Sequence, residues 1–174
     1  MKGTPMLNVD LATEEDGHAI LALQNAGEAW LAERGIRQWD RREMSLPTVL
    51  EHIRRREYYV GREEPGEAVR AAFRLLWSDE AVWGHQAEFS GYVRGLVIDR
   101  SCAGRGLGSQ LLDWAAERAR NAGAALLRLD CGQDNAALRD YYARAGFVEV
   151  GRRDCDPHCG YGAVLLERRI TNAH

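Results

Sequence analysis

The spacing of apolar and polar residues in the amino-terminal third of the chain predicts one strand followed by two helices. Residues 6–11 alternate between apolar and polar side chains, as in a half-buried strand. An acidic, cap-like start at residues 13–16 introduces a longer segment that Gly35 should end. Residues 45–53 predict a second, shorter helix with Pro47 near the favoured first helical position. The apolar residues of the longer segment recur at helical spacing and are Ile20, Leu21, Leu23, Trp30 and Leu31.

Strands and helices alternate over the remainder of the chain. Two strands, at residues 58–62 and 68–77, flank a turn at residues 64–66. Further strands are predicted at residues 92–98, 125–131, 147–151 and 161–168, and further helices at residues 107–121 and 136–144. About seven strands and four helices, interspersed in this way, indicate an α/β fold in which helices cover a mixed sheet.

The tryptophans divide into two groups by position. Trp30 and Trp114 lie on apolar helical stripes, where core packing is the expected role. Trp39, Trp77 and Trp83 lie near the ends of predicted elements, where an indole forms either a pocket wall or ordinary packing.

Composition predicts a single cytoplasmic domain. A chain of 174 residues that is 45% hydrophobic can form one domain, residues 1–174, without metal or disulfide support. The sequence contains no window of 18 apolar residues, so no membrane span is predicted. The first ten residues lack the apolar stretch of a signal peptide. The formal charge of −3 argues against a dedicated nucleic-acid binder and weakly favours a cationic substrate.

The four cysteines are expected to be reduced. They are Cys102, Cys131, Cys155 and Cys159. Cys155 and Cys159 lack the paired Cys-x-x-Cys spacing of common zinc sites, so a loop with incidental thiols is favoured and no metal is expected.

The glycine-rich segment before the helix at residues 107–121 carries the strongest chemical signal. Gly104, Gly106 and Gly108 stand at alternate positions, which lets the backbone approach a ligand closely and directs successive N–H groups one way. At a helix start these donors are unpaired and the helix dipole is positive, so a phosphate is the expected ligand. The segment has neither the lysine of a Walker loop nor the Gly-x-Gly-x-x-Gly spacing of a dinucleotide fingerprint. An ordinary glycine-rich turn is the alternative interpretation.

The sequence that follows this segment resembles a known superfamily. A second strand leads to Asn135, a tyrosine stands seven residues later at Tyr142, and Gly146 and Phe147 come next. The order of elements and motifs over residues 92–147 resembles the GNAT superfamily of N-acetyltransferases, which bind acetyl-coenzyme A.

The match to the family's loop is incomplete at one position. That loop is written Gln/Arg-x-x-Gly-x-Gly/Ala; Gly106 and Gly108 match its glycines, whereas Ala103 departs from its first residue. Because backbone amides bind the cofactor in that family, the departure should weaken the site without abolishing it. The strings ERGIRQW, LLWSDEAVWG and LRLDC resemble a bacterial branch with no settled substrate.

The resemblance implies a fold, a reaction and a set of residues. The fold is a layered α/β/α arrangement whose central strands splay, and the reaction is direct attack of a small molecule's primary amine on acetyl-CoA. Tyr142 stands at the general-acid position for the departing thiolate, and packing beside the sheet is its alternative role. A homodimer is compatible with the family. The implied cofactor-binding groups are the amide of Val97 or Ile98 on the thioester, the amides of Arg105, Gly106, Leu107, Gly108 and Ser109 on the pyrophosphate, and Asn135 on the pantetheine arm or its attendant water.

The general base has no clear candidate in the sequence. Simple alternation places Tyr92, Arg94, Leu96 and Ile98 on one face of their strand, and residues 92–98 include no carboxylate. The neighbouring loops offer titratable side chains for which a surface charge is the default interpretation. They are Asp79, Glu80, His85, Glu88, Asp154, Asp156 and His158.

Two classes of function therefore remain. The first is an N-acetyltransferase for a small amine, with a protein N-terminus or lysine as the alternative acceptor. Its acceptor cleft is expected near Trp39, Trp77 and Trp83, where Asp40, Asp79 and Glu80 would attract an ammonium group. The second is a non-catalytic acetyl-CoA-binding sensor or regulatory module.

Overall fold

The protein folds around one seven-stranded sheet. The computed structural model describes residues 6–35, 45–154 and 162–170. The strand order is β1-β2-β3-β4-β5-β7-β6. The strands are β1 (Asn8–Leu11), β2 (Tyr58–Arg62), β3 (Ala71–Leu76), β4 (Ser90–Ile98), β5 (Leu126–Gly132), β6 (Val148–Arg153) and β7 (Ala163–Arg169).

Five helices are found in the described part of the chain. They are α1 (Gly17–Ala32), α2 (Leu46–Arg54), α3 (Glu80–Trp83), α4 (Leu107–Asn121) and α5 (Ala136–Arg144). The bounds of α4, α5 and β2 agree with the sequence prediction. The one-turn helix α3 was not predicted, because four residues are too few to show a helical period.

The helices cover both faces of the sheet, which confirms the layered α/β/α arrangement. Leu111 and Leu112 of α4 and Tyr142 of α5 are buried against one face. Ile20 of α1 and Ile53 of α2 are buried against the other face. None of the helices within the described ranges has the length and apolar character needed to span a membrane.

The two central strands separate partway along their length. Strands β4 and β5 are the parallel neighbours among the described strands, and their paired residues run from Ser90↔Leu126 to Tyr92↔Arg128. Beyond Tyr92, β4 continues to Ile98 and β5 to Gly132 without ladder pairing between them. This opening confirms the expected splay, and it lies at the carboxyl ends of both strands.

A bulge in β4 corrects the face assignment made from simple alternation. The β4 segment from Arg94 to Val97 contains one residue more than the β3 segment with which it pairs. Within it, Gly95 adopts a φ of 62°. The Gly95 carbonyl accepts a hydrogen bond from Nε2 of the buried Gln24 at 2.7 Å. After the bulge, Leu96 and Ile98 pack on the α4 face. Arg94 and Val97 therefore share the opposite face, because one extra residue reverses the alternation.

Trp30 is not a core residue, contrary to the sequence prediction. Its half-buried ring in α1 lies between the guanidinium groups of Arg34 and Arg100. Trp114 does pack on the core, against Tyr59 and Phe73. The apolar stripe of α1 identified a helix correctly but not which of its members the sheet covers.

Candidate active site

A tight turn leads from β4 into the glycine-rich segment. Asp99 accepts hydrogen bonds at Oδ1 from the backbone N–H of Ser101 at 3.0 Å and from its hydroxyl at 2.9 Å. Oδ2 of Asp99 accepts from Arg70 at 3.2 Å. The Ser101 backbone hydrogen bond is the main cause of the lowered pKa of Asp99. These contacts hold the chain at the open end of the splay, where α4 begins.

The start of α4 presents unpaired backbone donors. Gly106 precedes the first helical residue with a φ of 72°, and Gly104 has a φ of 80°. Neither glycine has other atoms within 4 Å of where a Cβ would stand. Gly106 has no side chain with which to cap the helix, and the first backbone amides of a helix have no partner within the helix itself. The arrangement has the features that the sequence predicts for a phosphate site, and binding of an anion here stays a prediction.

Gly108 is required for a different reason, namely close packing. A Cβ at this position would clash with the Tyr141 hydroxyl and would stand 3.3 Å from Cδ1 of Ile98. Gly108 thus brings the first turn of α4 against the end of β4 and the start of the splay.

The edge of β4 that faces the splay carries the amide of Ile98. The Asp99 N–H donates to the carbonyl of Arg70, just before β3, at 2.7 Å. Because successive amides of a strand point to opposite edges, the Val97 amide also faces β3. Of the two amides considered from the sequence, Ile98 is therefore the one oriented toward the opening.

Tyr142 lies in the core on the β5 side of the splay. Its ring is 7% exposed and makes edge contacts with Tyr141 and Phe147. Burial raises the pKa of the phenol, and the nearby Cys131 thiol and Asp130 carboxyl raise it further. Tyr142 therefore stays protonated throughout the neutral range.

Asn135 has a structural role that the sequence prediction did not include. It is buried and precedes the first residue of α5, where its Oδ1 accepts a hydrogen bond from the Leu138 N–H at 3.1 Å. Side-chain caps of this kind typically stabilise a helix by about 1 kcal/mol. Asn135 thus positions the helix that carries Tyr142, and its contact with pantetheine stays a prediction.

An ion-paired cluster of Asp79, Arg94 and Asp130 spans the closed end of the splay. Nη1 of Arg94 donates to Oδ2 of Asp79 at 2.8 Å and to Oδ1 of Asp130 at 2.9 Å. Continuing the β4–β5 register two places beyond Tyr92↔Arg128 sets Arg94 opposite Asp130. The Asp79–Arg94–Asp130 cluster lies on the face opposite α4, and its formal charge is −1.

Asp130 is a mostly buried carboxyl group of this cluster. Its side chain is 19% exposed. Burial is the main cause of its raised pKa; the Asp79 charge also raises the pKa, whereas Arg94 lowers it. A carboxylate of this kind takes up a proton more readily than an exposed one, as a general base must.

Sequence reasoning did not identify Asp130, although one signal was available. It interrupts an apolar strand five residues before Asn135, and a charged residue in a buried strand is uncommon without a specific role. Among the earlier candidates, Asp79 is nearly buried in the cluster, whereas Glu80 and His85 are exposed. Asp156 and His158 lie outside the described residues, as do Cys155 and Cys159.

A cavity of about 250 Å³ lies beside the cluster at the amino end of β4. Asp79 is a member of the cluster and also lines the cavity. Trp77 is 40% exposed and stacks on Phe89 at 5.5 Å. Trp83 does not form a pocket wall: it is 3% exposed and packs edge-on against Tyr92. The cavity is lined by Trp77, Asp79, Glu80, His85, Glu88, Phe89 and Tyr92, among others, whereas Trp39 and Asp40 lie outside the described residues.

These two tryptophans should respond differently to truncation. Trp83→Ala should lower the free energy of unfolding by about 3–5 kcal/mol, because it empties a buried site. Trp77→Ala should change it by less than about 1 kcal/mol, since only an exposed stacking contact is lost. Urea titration of both variants measures the difference. Equal losses would show that Trp77 is also part of the core.

Comparison with known proteins identifies the family. Residues 22–147 match the sequence model of the Acetyltransferase (GNAT) family. The chain is 30% identical over 168 residues to the uncharacterized N-acetyltransferase YesJ of Bacillus subtilis, covering 92% of this chain and 88% of that protein. It is 43% identical over 61 residues to a probable glucosamine 6-phosphate N-acetyltransferase of Oryza sativa, covering 35% of each.

A solved structure gives the same result for the fold. The structure of yncA of Salmonella typhimurium, determined with its cofactor acetyl-CoA, superposes with a TM-score of 0.71 at 16% identity, covering 97% of this chain and 96% of that one. The chain belongs to the Acetyltransferase (GNAT) family and is an acetyltransferase.

Proposed function

We propose that the protein transfers the acetyl group of acetyl-CoA to the primary amine of a small molecule by direct attack. The observation that carries this proposal is the splay between β4 and β5. Uncapped helix amides stand at its open end, Tyr142 lies on its β5 side, and the Asp79–Arg94–Asp130 cluster lies across its closed end. The opening thus joins a site for a phosphate, a proton donor and a proton acceptor.

The donor is bound by backbone groups. The pyrophosphate of acetyl-CoA lies on the amides of Arg105 to Ser109, where the amino terminus of α4 contributes roughly half a positive charge. The pantetheine arm follows the free edge of β4 into the splay. The amide of Ile98 donates to the thioester carbonyl, and it stabilises the oxyanion because it is already oriented before reaction.

The acceptor enters from the opposite face. Its ammonium group is attracted by the net negative cluster and by the acidic, aromatic cavity beside Asp79. Asp130 accepts the proton from the attacking amine, directly or through one water. Collapse of the tetrahedral intermediate expels the CoA thiolate, to which Tyr142 supplies a proton.

Release of free CoA with a mixed panel of small amines tests this function. We expect release that depends on the amine and is saturable. A non-catalytic acetyl-CoA-binding module would bind the donor but release no CoA with any amine. Release with peptides alone would instead identify a protein acetyltransferase.

Replacing Gly106 with glutamate should abolish donor binding. The Gly106→Glu side chain places a carboxylate at the pyrophosphate site and also strains a left-handed backbone position. Acetyl-CoA at 100 times its dissociation constant should stabilise the wild type by about 2.7 kcal/mol. Calorimetry and thermal unfolding should show no binding and no stabilisation for this variant.

Gly123→Glu is the matched control. Gly123 also has a positive φ, of 94°, with no atoms near its Cβ position, and it follows the far end of α4. It therefore carries the same charge and similar backbone strain without approaching the ligand. If both variants bind acetyl-CoA like the wild type, the glycine-rich segment is an ordinary turn.

A further inference from the structure

Tyr92 and Arg128 form the last cross-strand pair before the splay, next to the Asp79–Arg94–Asp130 cluster. The two residues are partners in the β4–β5 ladder. Side chains two residues apart on a strand share a face, so Tyr92 lies on the same face as Arg94, and Arg128 on the same face as Asp130. The pair therefore lies on the face opposite α4, from which the acceptor enters, and it is nearer the closed end than Asp130.

Arg128 determines the direction of the hydrogen bond within this pair. Its Nη1 donates to the Tyr92 hydroxyl oxygen at 2.9 Å, and its Nε donates to Oε2 of Glu167 at 3.2 Å. A guanidinium group only donates, so the Tyr92 oxygen is the acceptor in this contact and the hydroxyl keeps its own hydrogen for another acceptor. Among the described residues, the Tyr92 hydroxyl makes no hydrogen bond besides the one from Arg128.

A second buried donor next to Tyr92 also lacks an acceptor. The Trp83 ring packs edge-on against Tyr92 with the ring centres 5.8 Å apart, and both side chains are 3% exposed. The Trp83 Nε1 group has no hydrogen-bond partner in the part of the chain that the structure describes. Buried N–H and O–H groups are rarely left unpaired, because they lose their hydrogen bonds to water without replacement. Two such donors side by side favour a ligand that brings an acceptor atom.

The Tyr92 hydroxyl lies within reach of a molecule that reacts at Asp130. Tyr92 lines the cavity at the amino end of β4, and so does Asp79, which contacts Arg94. Neighbouring strands are about 4.8 Å apart and each strand residue rises about 3.3 Å, which sets the Cα atoms of Tyr92 and Asp130 about 8 Å apart. A small acceptor can therefore place its amine beside Asp130 and a second polar group beside Tyr92.

The charge around the cavity favours a neutral oxygen over a carboxylate as that second group. Glu80 and Glu88 line the cavity in addition to Asp79. The Arg128 charge is already paired, and the Arg153 guanidinium, which lies beside the lining, offsets one negative charge. The remaining negative charge repels a carboxylate, whereas a hydroxyl or amide oxygen carries no charge to be repelled.

We propose that Tyr92 is a specificity-determining residue whose hydroxyl donates a hydrogen bond to a neutral oxygen of the acceptor. The inference rests on the proposed function. The preferred acceptor is then an amino alcohol or an amino amide, in which a hydroxyl or carbonyl oxygen lies a few bonds from the reacting nitrogen. Arg128 is a positioning residue, because it occupies the Tyr92 oxygen and leaves the hydrogen for the substrate. A site that hydrogen-bonds a substrate group discriminates against an analogue without it, since the donor is then left unpaired.

Three amines of similar size test this proposal through steady-state CoA release. They are 3-aminopropan-1-ol, butylamine, which has a methyl group in place of the hydroxyl, and β-alanine, which has a carboxylate. We expect the wild type to have its highest kcat/KM with the amino alcohol. In Tyr92→Phe, the ratio of kcat/KM for the amino alcohol to that for butylamine should fall about 10-fold, as for the loss of one hydrogen bond. Because the ratio is compared between two proteins, the different basicities of the amines cancel.

Tyr59→Phe is the matched control. It removes a buried hydroxyl from the opposite face of the sheet and should retain the wild-type ratio. The inference is overturned if Tyr92→Phe also retains that ratio, or if the wild type prefers butylamine or β-alanine. Should Tyr92→Phe fail to fold in a urea titration, the order of the three amines in the wild type still decides.

Failure of the inference and failure of the proposed function give different results. If the wild type acetylates the amines but Tyr92 does not affect their ratio, the inference alone is refuted. If no amine gives CoA release, the proposed function is refuted, and the inference is refuted with it.

Discussion

Replacing Tyr142 with phenylalanine should lower turnover by roughly 10²–10⁴-fold while leaving acetyl-CoA affinity and folding nearly unchanged. The variant keeps the ring contacts with Tyr141 and Phe147 and removes only the hydroxyl. Without that proton donor, CoA must leave as an unprotonated thiolate. Steady-state CoA release gives the turnover, and calorimetry with acetyl-CoA gives the affinity.

Tyr59→Phe is the matched control for this experiment. Tyr59 is also buried in the α4 face of the core, at 8% exposure, and stacks on Phe73. Its loss of a hydroxyl should leave turnover close to that of the wild type. If Tyr142→Phe also retains wild-type turnover, Tyr142 only packs α5 against the sheet.

Replacing Asp130 with asparagine should lower kcat/KM by roughly 10²–10⁴-fold and change the pH dependence of the remaining activity. The wild type needs Asp130 ionised, so its rate should fall as the pH falls through the pKa of that carboxyl. Because burial raises this pKa, the loss should occur at a higher pH than for an exposed aspartate. The variant should lack this acid limb, and its residual rate should rise with pH as the free amine deprotonates.

Asp79→Asn tests how the charge of the cluster affects the proposed base, because this variant keeps Asp130 itself. It removes one carboxylate that raises the pKa of Asp130 and leaves Asp130 in contact with Arg94. The acid limb should therefore shift to lower pH, the opposite of what loss of a positive charge would do. An unchanged pH–rate profile in Asp130→Asn would exclude Asp130 as the base.

Local sequence signals were sufficient to predict the helices and strands that surround the site. The helical period and Gly106 predicted α4, and Asn135 with the residues after it predicted α5, both with the bounds that the structure shows. The alternating or apolar runs also located all seven strands to within a few residues. Such signals depend on neighbours within one or two turns, which the sequence contains directly.

The orientation of side chains at the site depended on contacts between distant segments. The Gly95 bulge reverses the faces of β4, and it is held by Gln24, 71 residues away in the sequence. Asp130 becomes a candidate base because it is buried where the β4–β5 ladder ends, in contact with Arg94 of the neighbouring strand. Trp83 is buried by Tyr92 and the core beneath it.

The sequence by itself determined the family, the order of the strands and of the four longer helices, the glycine-rich segment before α4 and the position of Tyr142. Only the tertiary structure decided which β4 amides face the splay, which carboxylate stands beside it and which arginines stack on Trp30. The reason is physical. Periodicity and capping act between residues close in sequence, whereas register, burial and charge pairing arise when residues far apart in the chain are brought together.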